Sequence, residues 1–209
     1  MKEFKVTKVN TEMVRRVFFS FHYRDVENFR ANVVRNSEIV RGIEKAGFYD
    51  ASLWEQAKTR GVLAIKNLIY TGLQNTSVTA VLIGTYTYSR RWVRYEIVKS
   101  IERGNGLLGV HINKILDKSR IISLHGANAF HSFYFNHDSF GRINLWERKD
   151  NAWKLYQDVE QPIANLRFFT AGLREGYLSS IFPVYDWVDD QGYNNFCEWV
   201  EQAAKRVGR

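Results

Sequence analysis

Residues 77–103, SVTAVLIGTYTYSRRWVRYEIVKSIER, decide how this chain folds. The first part, Val78 to Ile83, is a nearly continuous apolar run of strand length, rich in β-branched side chains. Such a run suits a strand buried on both faces of a parallel sheet. Gly84 ends it, and a polar, aromatic loop from Thr85 to Ser89 leads into a segment with helical spacing. There Val93, Ile97, Val98 and Ile101 form one apolar stripe, with Glu96 on its flank and Trp92 one turn earlier on the same side. Open α/β sheets bind ligands beyond the carboxyl ends of their strands. A carboxylate near the start of the helix that follows a central strand is therefore placed for chemistry.

Working outward, Val17 to Phe21 (VFFSF) reads as a first central strand, with His22 and Tyr23 in the loop at its carboxyl end. Asp25 can cap a helix carrying Val26, Phe29, Val33 and Val34. Gly47 to Ser52 (GFYDAS) reads as a short second strand entering a loop that holds Trp54 and Glu55. Val62, Ile65, Leu68, Ile69 and Leu73 define a further amphipathic helix, and Leu107 to Ile112 a fourth strand. Strands alternating with helices predict right-handed crossovers and a parallel sheet covered on both faces. The expected core is α/β and flavodoxin-like, over residues 14–115, after a short polar lead at 1–13.

Residues 116–209 have a different texture and read as a C-terminal extension packed on that core. Phe130 to Phe140 is aromatic and rich in histidine. Ile143 to Tyr156 predicts a hairpin turning in the polar run Arg148 to Asn151. Ser179 to Trp187 reads as extended, and Asn194 to Arg206 as a closing amphipathic helix with Phe196, Trp199 and Val200 on its apolar side.

Composition bounds the function. The single cysteine, Cys197, excludes an internal disulfide and a multi-cysteine zinc site. His125, His131 and His137 match no familiar zinc spacing, so no metal is expected. No stretch approaches the roughly 18 apolar residues of a membrane span. The start, MKEFKVTKVN, lacks the apolar centre of a signal peptide. A cytoplasmic protein is the expectation. The net charge of +8 comes from scattered pairs such as Arg15–Arg16 and Arg90–Arg91, with no dense basic run or nucleic-acid motif. It is read as solvated surface, or as attraction for small anionic nucleotides, rather than as a nucleic-acid footprint.

These segments resemble a TIR domain. VFFSF with its polar loop looks like that family's first box. IKNLIYTGLQNTSVTAVLIGTYTYSRRWVRYEI looks like its second helix, third strand and third helix, and Trp92-x-x-x-Glu96 matches the tryptophan and glutamate of its NAD-cleaving members. The match is closer to the TIR-like ThsB proteins of the bacterial Thoeris anti-phage system. RRVFFSFHYRDVENFRANVVRN, FYDASLWEQAK, NTSVTAVLIG, RRWVRYEIVKSIERGN and the late VYDWVDDQGYN all have that look. Val93 departs from the broader TIR pattern, where cysteine often follows the tryptophan. The resemblance implies an enzyme that releases nicotinamide from NAD and makes a cyclic ADP-ribose isomer after infection. It implies no cofactor besides NAD as substrate, a ThsA-type effector reached through the diffusible product, and a homo-oligomer that completes the pocket.

Nicotinamide in NAD is already a cationic leaving group, so the departing nitrogen needs no proton. The ribose cation does need stabilising, and one carboxylate can do this electrostatically. Glu96 is the candidate. Trp92, Trp54 and Tyr23 could shield or stack, Ser20 and His22 could bond ribose or phosphate, and Asp50 could meet a hydroxyl. Each also has a plainer reading. Glu96 could be a surface carboxylate paired with Lys99 or Arg103, and Trp92 a packing residue. His22, Ser20, Tyr23 and Asp50 could be strand-end polar groups bonding the local backbone. A module that only assembles with other TIR-like domains, or a hydrolase giving linear ADP-ribose, would use the same residues.

Overall fold

The computed structural model describes residues 15–22, 25, 29–37, 43–46, 51–163 and 172–209, with only the backbone of 43–46, 51 and 52. Five strands form a parallel sheet: β1 (Arg15–Ser20), β2 (Ile43–Ala46), β3 (Val78–Ile83), β4 (Gly106–His111) and β9 (Val184–Asp186), in the order β2-β1-β3-β4-β9. This is the flavodoxin-like order, with β1 and β3 adjacent at the switch point. The VTAVLI run sits at the centre. All six of its residues are buried, as a strand covered on both faces requires.

Four further strands make an antiparallel sheet in the order β7-β6-β5-β8: β5 (Phe133–His137), β6 (Ile143–Lys149), β7 (Ala152–Leu155) and β8 (Glu175–Tyr177). The hairpin joining β6 and β7 turns at Asp150 and Asn151, both with positive φ, as the favoured two-residue hairpin turn demands. The expected turn is therefore where the structure has it.

Helices α1 (Arg30–Asn36), α2 (Ala51–Arg60), α3 (Val62–Leu73), α4 (Arg91–Glu102) and α5 (Gly192–Arg206) cover the main sheet. On one side α5 and α1 pack on Val17, Phe19, Ala80, Leu108 and Val110. On the other, α4 delivers Val93, Ile97, Val98 and Ile101 into one cluster with Val81 and Ile83 of the main sheet and Phe133, Phe135 and Leu145 of the small one. The stripe read from the sequence is thus the face that α4 buries.

Two expectations need correcting. The second strand is Ile43–Ala46, and Ala51–Arg60 is helix, so Trp54 and Glu55 lie on α2 rather than in a loop. Ala51, Leu53, Glu55, Gln56, Ala57 and Lys58 are helix formers, and Ala57 and Trp54 turn inward beside α3 and α4. The first helix also buries another face. Phe29 and Val33 are 43% and 41% exposed, whereas Arg30, Ala31, Val34 and Arg35 are buried. Arg30 is held there because its guanidinium donates to the carbonyls of Ile115 (2.8 Å) and Ile121 (2.7 Å) and to Asp117 Oδ2 (3.3 Å). The expected lead at 1–13, Val26, and Gly47 to Asp50 of the expected second strand lie outside the described residues.

Candidate functional site

The carboxyl ends of β1 and β3 bring the site together. Ser20 closes β1 and is fully buried, and Glu96 stands one and a half turns into α4, itself only 6% exposed. The Ser20 hydroxyl donates to Glu96 Oε2 at 2.5 Å. Neither Lys99 nor Arg103 pairs with Glu96. Lys99 is bonded to Glu102, and the Arg103 guanidinium lies over the Tyr70 ring at 5.5 Å. Burial pushes the Glu96 carboxyl up to about 8, against the opposing pull of the Ser20 hydroxyl. A carboxyl so placed holds its proton more tightly than an exposed one, because burial disfavours its charged form. Below it, the Ser100 hydroxyl donates to the Glu96 carbonyl (2.6 Å) and lies 2.8 Å from Thr79 Oγ1, fastening this turn of α4 to β3.

Trp92 lies one turn earlier, half-buried, its ring edge-on to Tyr95 (centroids 6.0 Å) and to Trp54 of α2 (6.4 Å). Both tryptophans are thus in one aromatic wall. The Arg91 guanidinium covers the outer face of Trp92 at 4.9 Å. His22, half-buried, follows Ser20 by two residues, and its carbonyl accepts the Asp25 N–H at 2.9 Å. Tyr23 and Asp50 lie outside the described residues. Among the described residues no three His, Cys, Asp or Glu side chains gather as a metal site; His125 stacks on His111 and His131 on Tyr177. No described helix is long and apolar enough to cross a membrane.

One residue at this edge carries only a helix-cap signal in the sequence. Asp25 is 8% exposed, and burial pushes its carboxyl up to about 6. The Thr87 hydroxyl lies 3.3 Å from its Oδ2 and also accepts the Gly84 N–H at 2.9 Å. A methyl group on Gly84, the residue after β3, would stand 2.1 Å from Asp25 Oδ1, so a larger residue there would displace the Asp25 carboxyl. Asp25 thereby joins the β1 loop, which carries His22, to the β3–α4 loop. Nothing in local spacing separates such a contact from a cap.

A five-stranded 2-1-3-4-5 parallel sheet with a buried glutamate on the helix after the third strand defines a TIR-type domain. Comparison with known proteins makes this specific. The family described as "Thoeris protein ThsB, TIR-like domain" matches residues 18–117. Over 192 residues the chain is 48% identical to "Putative cyclic ADP-D-ribose synthase ThsB1" of Bacillus cereus strain MSX-D12, covering 90% of this chain and all of that relative. The chain belongs to the ThsB TIR-like family of the Thoeris system.

Proposed function

We propose that this protein breaks the nicotinamide–ribose bond of NAD and closes the remaining ADP-ribose on itself, giving a cyclic isomer. The observation that carries the reading is the buried, Ser20-bonded Glu96 at the strand edge, in a chain so similar to a relative named for cyclic ADP-ribose synthesis. As nicotinamide leaves, positive charge develops on the ribose. An ionised carboxylate in a low-dielectric site stabilises that charge far more than it would in water. The aromatic wall of Trp54 and Trp92 supports the cyclising route, because excluding water favours attack by an atom of the same molecule. The product would then act as a diffusible signal for a ThsA-type effector, with NAD the substrate, no further cofactor, and the cytoplasm as the compartment. Assembly with a second copy is part of the same reading.

The test is incubation with NAD, with and without extract of infected cells, following nicotinamide and ADP-ribose products by mass spectrometry. Glu96→Gln is expected to lower product formation at least 100-fold, the scale of losing a main electrostatic stabiliser. Equal cyclic product from Glu96→Gln would sink the assignment. Linear ADP-ribose alone would make the protein a hydrolase.

A further inference from the structure

A cleft of about 620 Å³ opens between the first turn of α4 and the β6–β7 hairpin, and the chemistry above makes no use of it. Tyr156 lines it. That residue is 1% exposed, its ring lies edge-on to Phe133 at 5.7 Å, and its hydroxyl has no hydrogen-bond partner among the described residues. Buried hydroxyls are nearly always satisfied, so an orphan calls for an explanation. The charges that act on this hydroxyl include Asp158, Glu147 and Arg91, all of which line the same cleft.

Those carboxylates are already engaged. Glu147 accepts from Arg94 at 2.7 Å, and Asp158 accepts two bonds from Arg91, at 2.9 and 2.6 Å. Lys154 has only an exposed pairing with Asp150, and Arg148 and Lys149 make no ion pair with any described residue. Five cationic side chains face three carboxylates, so the cleft is net positive. A buried neutral donor on a residue that lines the same cleft as these cations completes a donor set for an oxyanion with several oxygens. The space exceeds a lone phosphate and lies in the range of small-molecule sites.

We propose that this cleft binds a small phosphoryl-bearing anion, with the Tyr156 hydroxyl donating to one phosphoryl oxygen and Arg148 and Lys149 closing on its charge. Glu96 does not line the cleft, so the site is separate from the strand-edge carboxylate.

Calorimetric titration of the full chain with inorganic pyrophosphate and with ADP, at fixed ionic strength, tests this. Saturable binding is expected, weakened about 10-fold by Tyr156→Phe and at least as much by Arg148→Ala with Lys149→Ala, since a bond to a charged group is worth that or more. Tyr156→Phe should leave the melting temperature of the unliganded protein unchanged or raised, because the hydroxyl has no partner to lose. A purely structural hydroxyl would lower it. Glu96→Gln should bind like the parent, which keeps this test independent of the NAD reading. ADP binding tighter than pyrophosphate identifies a nucleotide, and equal affinities identify the phosphate chain itself. The proposal is overturned if neither probe binds saturably, or if both cleft variants bind as the parent does.

Discussion

On the proposed reading, ionisation of the Glu96 carboxyl that Ser20 bonds is the event on which activity turns. In the unfolded chain Glu96 ionises near its ordinary 4.5, whereas in the folded protein it keeps its proton up to about 8. Between these values the folded state binds more protons, so its stability is full below about 4.5 and falls as pH rises through about 8. Glu96→Gln removes the titrating group and keeps the shape. Its melting temperature should exceed the parent's at pH 8.5, by roughly 2–4 °C for each kcal/mol recovered at this chain length, and the two should converge near pH 4.5. Parallel melting curves at both pH values would contradict the burial argument. Activity runs the other way. If the ionised form is required, kcat/KM rises with pH and levels off above about 8. Ser20→Ala removes a donor that favours ionisation, so this rise should move to higher pH and kcat/KM at pH 7 should fall about 5–10-fold, the worth of one hydrogen bond. A profile flat from pH 6 to 9 would separate Glu96 from the reaction.

At the scale of elements, legibility followed the reach of the contacts. β3 and α4 are readable because a nearly continuous apolar run and a clean stripe at helical spacing are local signals, and both are buried in the structure. α1 misled because its buried side includes Arg30 and Arg35, and what satisfies Arg30 lies some 85–91 residues away. The second strand, IEKA, has neither an apolar run nor clean alternation, so the aromatic stretch after it drew the assignment. The position of Glu96 on the helix is legible from spacing, whereas its buried partner Ser20, 76 residues distant, is not. The docking of α5 on β4 gives a test at this scale. A methyl group on Gly106 would meet the Ala203 carbonyl oxygen at 2.2 Å, and that atom belongs to the helix backbone, which cannot swing aside like a side chain. Gly106→Ala should therefore cost about 3 kcal/mol, read as a melting temperature lower by roughly 6–12 °C. A loss under 2 °C would mean that α5 shifts freely on the sheet.

For the whole molecule, the division into a core at 14–115 and a later extension follows sequence texture, whereas the packing ties the two together. β9 pairs with β4 through Gly109–Val184, Val110–Tyr185 and His111–Asp186, so without it β4 is a bare edge. Phe196, Trp199 and Val200 of α5 cover the face made by Val17, Phe19, Ala80, Leu108 and Val110. At about 1.5–3 kcal/mol for each large apolar side chain buried, those three alone contribute roughly 5–9 kcal/mol, against a net stability of about 5–15 kcal/mol for an ordinary domain. Polar ties add to this. Glu201 accepts two bonds from Arg15, at 2.7 and 2.9 Å, and Arg209 donates to the carbonyls of Thr76 and Arg103. The small sheet adds Phe133, Phe135 and Leu145 to the cluster that seats α4, the helix carrying Glu96. A chain of residues 14–115 alone should therefore lack a cooperative thermal transition, bind a hydrophobic dye and release no nicotinamide from NAD, while residues 14–209 retain a sharp transition. Circular dichroism melts and dye fluorescence on the two chains decide it. A soluble 14–115 fragment melting sharply near the full chain's temperature would make the extension dispensable and return the site to the core alone.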